Sequence, residues 1–171
     1  MKKHLVYLAL VTCLCFQSCW IPSPDDEPNN FDIGVSNYEP VIISRSELET
    51  STIIESPKTI ENSGKIYVKD EFLFINERNK GFHVFNNSNP ENPVKIAFIK
   101  VLGSSDLAVK NNILYINNAT DLITLTADLT TNSIEITKRI ANTFPQMISP
   151  EGFQYNNLND DQIIIDWILN D

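Results

Sequence analysis

One pattern occurs twice in this chain. Ile66-Tyr67-Val68-Lys69-Asp70-Glu71-Phe72-Leu73-Phe74-Ile75-Asn76 aligns without a gap on Leu107-Ala108-Val109-Lys110-Asn111-Asn112-Ile113-Leu114-Tyr115-Ile116-Asn117. The offset is 41 residues, falling to 40 where Gly81-Phe82-His83-Val84-Phe85 meets Asp121-Leu122-Ile123-Thr124-Leu125. Short apolar runs recurring at this spacing predict blade-like antiparallel β repeats, each one sheet that buries its faces against its neighbours.

Within the first repeat the expected strands are 65–69, 72–76, 82–85 and 94–101, and in the second 107–110, 113–117, 121–126 and 134–140. Asp70-Glu71 and Asn111-Asn112 are the first turns, and asparagine pairs tolerate left-handed backbone well. Asn79-Lys80-Gly81 is a further turn, with glycine where positive φ costs least. Phe72, Leu73, Phe74 and Ile75 leave no polar face, which suits a strand covered on both sides. Blades are therefore expected near 64–102 and 106–140, with a partial blade around Ile163-Ile164-Ile165-Asp166-Trp167-Ile168-Leu169. Ahead of them, Tyr38-Glu39-Pro40-Val41-Ile42-Ile43 reads as an entering strand. Ser44-Arg45-Ser46-Glu47 has capping-box spacing for a helical turn reaching Leu48. Thr52-Ile53-Ile54 and Thr59-Ile60 are β-branched pieces broken by Pro57.

The first residues give an address. Met1-Lys2-Lys3-His4 is basic and residues 5–16 are apolar, too short to span a bilayer and shaped like a secretory signal. Phe16-Gln17-Ser18-Cys19 resembles a bacterial lipobox in its relaxed form, with Phe16 where leucine is usual. That resemblance implies a signal peptide over 1–18 and lipidation of Cys19 as the mature N-terminus, by palmitate and related acyl chains. Residues 19–37 follow as an acidic, proline-rich tether, since three prolines and Asp25-Asp26-Glu27 cannot pack a core. An acidic run so placed resembles the surface-export signal of Bacteroidetes lipoproteins. All three cysteines lie in the first 19 residues, so the β-repeat domain 38–171 has no thiol for a disulfide, zinc or nucleophilic chemistry. The net charge is −9, and −11 once Lys2 and Lys3 leave with the signal. An acidic surface disfavours nucleic acid and anionic headgroups as partners.

Gly81-Phe82-His83-Val84-Phe85-Asn86-Asn87-Ser88-Asn89-Pro90-Glu91-Asn92-Pro93 resembles the LVIVD-type repeat: a glycine, a hydrophobic strand, then Ser-Asn-Pro-x-x-Pro. Together with the lipobox, the chain from Tyr38 onward resembles the LVIVD-repeat, propeller-like lipoproteins of Bacteroidetes. The second repeat carries Thr126-Ala127-Asp128 at the corresponding turn. The resemblance implies a β-propeller-like fold on the outer membrane and brings no catalytic residues with it.

The fold class expected is all-β: antiparallel four-stranded blades in a partial, unclosed β-propeller. A closed propeller needs at least four blades of about 40 residues, and the 134 residues after the tether hold two full repeats and pieces. Of chemistry there is little. His83, the one histidine after the leader, reads as the solvent-facing alternate of a half-buried strand. Asn157-Leu158-Asn159-Asp160-Asp161 alternates oxygen ligands like a calcium loop but lacks the turn glycine and closing glutamate. Gly103-Ser104-Ser105 lacks the lysine of a phosphate loop. The function expected is a non-catalytic binding or interaction module held to the envelope by its lipid, without catalytic residues, metal or cofactor. Its partners would be the membrane through the anchor, an envelope protein or surface glycan, and a second copy through open sheet edges. The alternative is a hydrolase-like propeller whose site lies on loops.

Overall fold

A computed structural model describes residues 36–129, 131 and 133–170. The strands are β1 (Tyr38–Ser44), β2 (Ile53–Glu55), β3 (Ser63–Lys69), β4 (Phe72–Glu77), β5 (Gly81–Asn86), β6 (Val94–Lys100), β7 (Leu107–Lys110), β8 (Ile113–Asn118), β9 (Asp121–Asp128), β10 (Ser133–Ile140) and β11 (Gln162–Leu169). One short helix, α1 (Arg45–Thr50), follows β1. The fold is all-β and propeller-like, built of antiparallel sheets that do not close on themselves. The expected signal peptide over 1–18, Cys19 and the expected tether up to residue 35 lie outside the described residues.

The first repeat forms a meander β3-β4-β5-β6, blade A, extended by β2 along β6. The second forms the meander β7-β8-β9-β10, blade B. Local chemistry sets the turns. Asp70 takes φ 53° between β3 and β4, and Asn111 and Asn112 take 49° and 63° between β7 and β8. Both are left-handed conformations that short polar side chains enter most easily. Gly81 opens β5 at φ 146°, and a Cβ there would lie 2.1 Å from the Ile99 carbonyl oxygen. Between β5 and β6, Asn86 accepts the Ser88 N–H at 2.9 Å and Asn89 the Glu91 N–H at 3.2 Å. These asparagine turns bend the Ser-Asn-Pro segment back on itself.

The blades stack face to face. Blade A contributes Phe74, Phe82, Val84, Ala97 and Ile99, and blade B Leu107, Leu114, Ile116, Ile123 and Leu125, all buried in one cluster. Burying each such side chain stabilises by roughly 1.5–3 kcal/mol, so this interface dominates the energetics of the pair. Aromatic rings on one side meet branched aliphatics on the other, and the two sets fill space together.

A third, two-stranded sheet pairs β1 with β11, joining the first and last described strands antiparallel. Leu48, Ile163 and Ile165 bury one face of it against Leu102 and Ala119, residues of the connections at one end of the blades. Ser44 caps α1 by accepting the Glu47 N–H at 3.1 Å, as the capping-box spacing predicts. The helix brings Arg45 to Asp121 at the start of β9, with Nη1 to Oδ2 at 2.6 Å. Asn79, in the β4–β5 turn, donates to Asp166 of β11 at 2.6 Å. Two features are not legible in the local pattern: β2 is a fifth strand of blade A, and Thr59-Ile60 forms no strand. β2 lies on the β6 edge and β3 on the opposite edge. Residues 56–62 therefore cross the outer face of blade A as a strap.

Candidate functional site

The two repeats present opposite faces to their shared interface. In antiparallel sheets cross-strand partners point to one side, and on β4 the residues Phe72, Phe74 and Asn76 turn inward, toward blade B. On β8 it is Leu114, Ile116 and Asn118 that are buried, one position out of step with the sequence alignment. Blade B therefore docks with the face that corresponds, in blade A, to Ile66, Val68, Leu73, Ile75, His83 and Phe85. In blade A that face looks outward. The stack is thus head to tail, as in a propeller, and not a two-fold sandwich.

The outer face of blade A has two halves. One is covered by the strap. Glu77, only 3% exposed, accepts the N–H groups of Glu61 and Asn62, the former at 3.0 Å. It also pairs with His83 Nε2 at 2.9 Å. A carboxylate only accepts, so the proton of this bond sits on Nε2. Burial by itself pushes the Glu77 carboxyl up, but the hydrogen bonds from His83 and the two backbone amides outweigh it and hold it below 4.5. His83 is 0% exposed, its ring 4.8 Å from that of Phe98. The expectation of a solvent-facing His83 is therefore corrected: the strap roofs its face of the strand. A cavity of about 570 Å³ opens beside the pair, with Lys58, Lys80 and Lys100 on its walls. Lys80 is tied to Glu61 at 2.8 Å, and Lys58 lies over the Phe98 ring at 4.9 Å. Chemically, the Glu77–His83 pair is a fastener for the strap, its carboxylate committed to three donors.

The other half is open. Ile66 is 63% and Val68 65% exposed, and Leu73, Ile75 and Phe85 are half-buried beside them. Lys95 reaches over the Phe85 ring at 5.6 Å. On blade B the outer face carries Ala108, Tyr115 and Leu122, with residues 144–148 arched over one end. The arch is held by Phe144 N–H to the Thr120 carbonyl at 2.9 Å and by Trp167 Nε1–H to the Met147 carbonyl at 3.2 Å. The trough beneath it holds about 720 Å³ and is lined mostly by apolar side chains.

Asp121, 0% exposed, is the most buried charge near the blades. Burial raises its carboxyl, and hydrogen bonds from Arg45 and Arg139 more than compensate, leaving it below 3.8. It fastens blade B to α1. Sequence reasoning singled out neither Glu77 nor Asp121. The repeat alignment did carry a signal for His83, which falls opposite Ile123, a core residue of blade B. Among the described residues no group of three or more His, Cys, Asp or Glu could hold a metal ion, and residues 157–161 form no such group. Among them, too, no helix is long and apolar enough to cross a membrane. Cys19, the lipidation candidate, lies outside the described residues.

No family model, curated protein or solved structure matches this chain.

Proposed function

We propose that this chain is an envelope lipoprotein, anchored through acyl chains on Cys19, whose β-repeat domain is a non-catalytic binding module. In this reading it is a relative of the LVIVD-repeat proteins on the outer membrane, and the tether over 19–37 holds the domain clear of the bilayer. The observation that carries the binding role is the open half of blade A. Ile66 and Val68 stand 63% and 65% exposed on the very face that blade B buries in its own interface. An apolar patch rimmed by polar residues is the usual mark of a protein-binding surface. The Glu77–His83 pair supports the same reading, because its hydrogen bonds hold a strap and not a reacting group.

Two measurements test it. A clickable palmitate analogue fed to the producing cells should label the wild type and leave Cys19→Ala unlabelled; label on the alanine variant would overturn the anchor. A photo-crosslinking amino acid at Val68 in the anchored protein should form covalent adducts with a protein partner, while the same group at Glu39 should not. Absence of any adduct at Val68 would overturn the binding role.

A further inference from the structure

Each repeat has a docking face and a receiving face, and the molecule joins only one of each. Blade B docks through Leu107, Val109, Leu114, Ile116, Ile123 and Leu125. It is received by Tyr67, Phe72, Phe74, Phe82 and Val84 of blade A. Carried across by the repeat alignment, blade A keeps an unused docking face at Ile66, Val68, Leu73 and Phe85. Blade B keeps an unused receiving face at Ala108, Ile113, Tyr115, Leu122 and Thr124.

The unused faces are open at the same end. On blade A the strap covers the row of His83 and Phe98 and leaves Val68, Leu73 and Phe85 of the next row clear, with Lys95 at the end of that row bonded to the Lys58 carbonyl of the strap. On blade B the arch 144–148 closes a trough against Ala108, Tyr115, Asn117 and Leu122, and Ile113, beside the Asn111-Asn112 turn, lies outside it. Where the internal interface is seen, Phe72 and Phe74 wall one cavity with Val109 and Leu114. Their counterparts are Ile113 and Tyr115 on the receiving side, and Val68 and Leu73 on the docking side.

We infer that the occupant of the open blade A face is a second copy of this chain, seated by the receiving face of its blade B. Val68 of one copy then lies against Ile113 and Tyr115 of the next. The inference rests on the reading of that face as a binding surface, and names its partner. Such a contact is heterologous: it joins two different patches, so copies assemble head to tail, into a ring where the rotation closes. It runs through blade faces, not through strand edges.

The test uses the full chain with Cys13→Ser, Cys15→Ser and Cys19→Ser, so that an added cysteine is the only thiol. Two differently tagged copies, one bearing Val68→Cys and the other Ile113→Cys, are mixed under mild oxidant. A disulfide joining the two tags, lost when either cysteine is omitted, is the expected result. No link in the mixture, or a Val68→Cys product that forms as readily alone, would overturn head-to-tail assembly. Light scattering should show a mass above the monomer that Val68→Asp abolishes; because Val68 is exposed, that variant keeps its fold. A wild-type monomer overturns the inference, yet leaves the binding module standing if photo-crosslinking at Val68 still captures another envelope protein.

Discussion

Ile75 and Ile116 occupy the same position of the two repeats and point to opposite sides of the stack. Ile116 is 1% exposed in the interface between the blades, whereas Ile75 is half-buried on the outer face of blade A. A two-fold sandwich would bury both in one core. Opposite burial at equivalent positions is what repeated, identically oriented blades produce, each using its docking face against the receiving face of the one before.

Truncating the two should therefore not cost the same. Ile116→Ala removes a fully enclosed side chain and should destabilise by roughly 2–5 kcal/mol, the range for buried aliphatics that leave a cavity. Ile75→Ala removes partly solvated area and should cost about 1 kcal/mol. Urea melts of both variants measure the difference. Equal losses would mean that blade A is as deeply covered outside as inside.

The Glu77–His83–strap arrangement predicts how acid acts on blade A. The Glu77 carboxyl sits below 4.5 in the folded chain. Its contribution is thus fully present above the ordinary carboxylate range and fades as pH falls through the lowered folded value. Melting temperature should drop on acidification below about pH 4. Glu77→Gln should start lower at neutral pH and show a shallower acid limb, because its amide cannot accept all three donors as an anion. An unchanged acid limb in that variant would place the sensitivity elsewhere, with Asp121 the next carboxylate to try.

Turns, caps and blades were legible because they are local. Asp70 and Asn111-Asn112 announce their left-handed turns, and Ser44 and Glu47 their cap, whereas Ile113-Leu114-Tyr115-Ile116 is apolar throughout and does not announce which side is buried. What escaped is non-local. β1 meets β11 with Tyr38 opposite Leu169, and β2 meets β6 with Ile53 opposite Lys100. Nothing in a short window encodes such pairings, since their stability comes from surfaces brought together only in the fold. His83 failed for a related reason. Its flanking Phe82 and Val84 define one buried face correctly, but the cover on the other face is a strap whose anchor, Glu77, lies six residues earlier and takes its backbone donors from residues 61 and 62. An unclosed propeller implies an uncovered blade face, but nothing local in the sequence places that face on Ile66 and Val68.

Gly81 offers a sharper test of the blade A turn. At φ 146° it occupies backbone that side chains rarely adopt, and an added Cβ would meet the Ile99 carbonyl oxygen at 2.1 Å. Because that atom belongs to a paired strand, it cannot swing aside like a side chain. Gly81→Ala should cost at least about 2 kcal/mol, combining backbone strain with the clash. Gly152→Ala is the control: its φ is 87°, but a Cβ there meets nothing within 4 Å. A smaller loss at Gly81 than at Gly152 would show that β5 and β6 separate more easily than their ladder suggests.

The last prediction concerns the junction between blade B and the β1–β11 sheet. Asp121 Oδ2 receives Arg45 Nη1 at 2.6 Å and Arg139 Nη1 at 2.7 Å, and its side chain is 0% exposed against 26% and 16% for the arginines. Arg139 is also held by Asn118 Oδ1 at 2.8 Å, and Asp121 Oδ1 takes the Asn142 N–H at 3.1 Å. Asp121→Asn keeps the shape but leaves two guanidinium groups facing a neutral amide, one of them deeply placed. Removing one member of a buried ionic cluster costs roughly 3–5 kcal/mol, and partial access of water to Arg45 places this site near the lower figure. Arg45→Met leaves Asp121 with its Arg139 bond, removes the exposed Arg45 bond to Asn142 at 3.2 Å as well, and should cost about 1.5–2 kcal/mol, the lower part of the range for a hydrogen bond to a charged group. Added salt should narrow this gap little, since a buried pair is poorly screened. Chemical denaturation of both variants at two salt concentrations decides. If Asp121→Asn proves no worse than Arg45→Met, the junction is held by the Leu48–Ile163 packing alone.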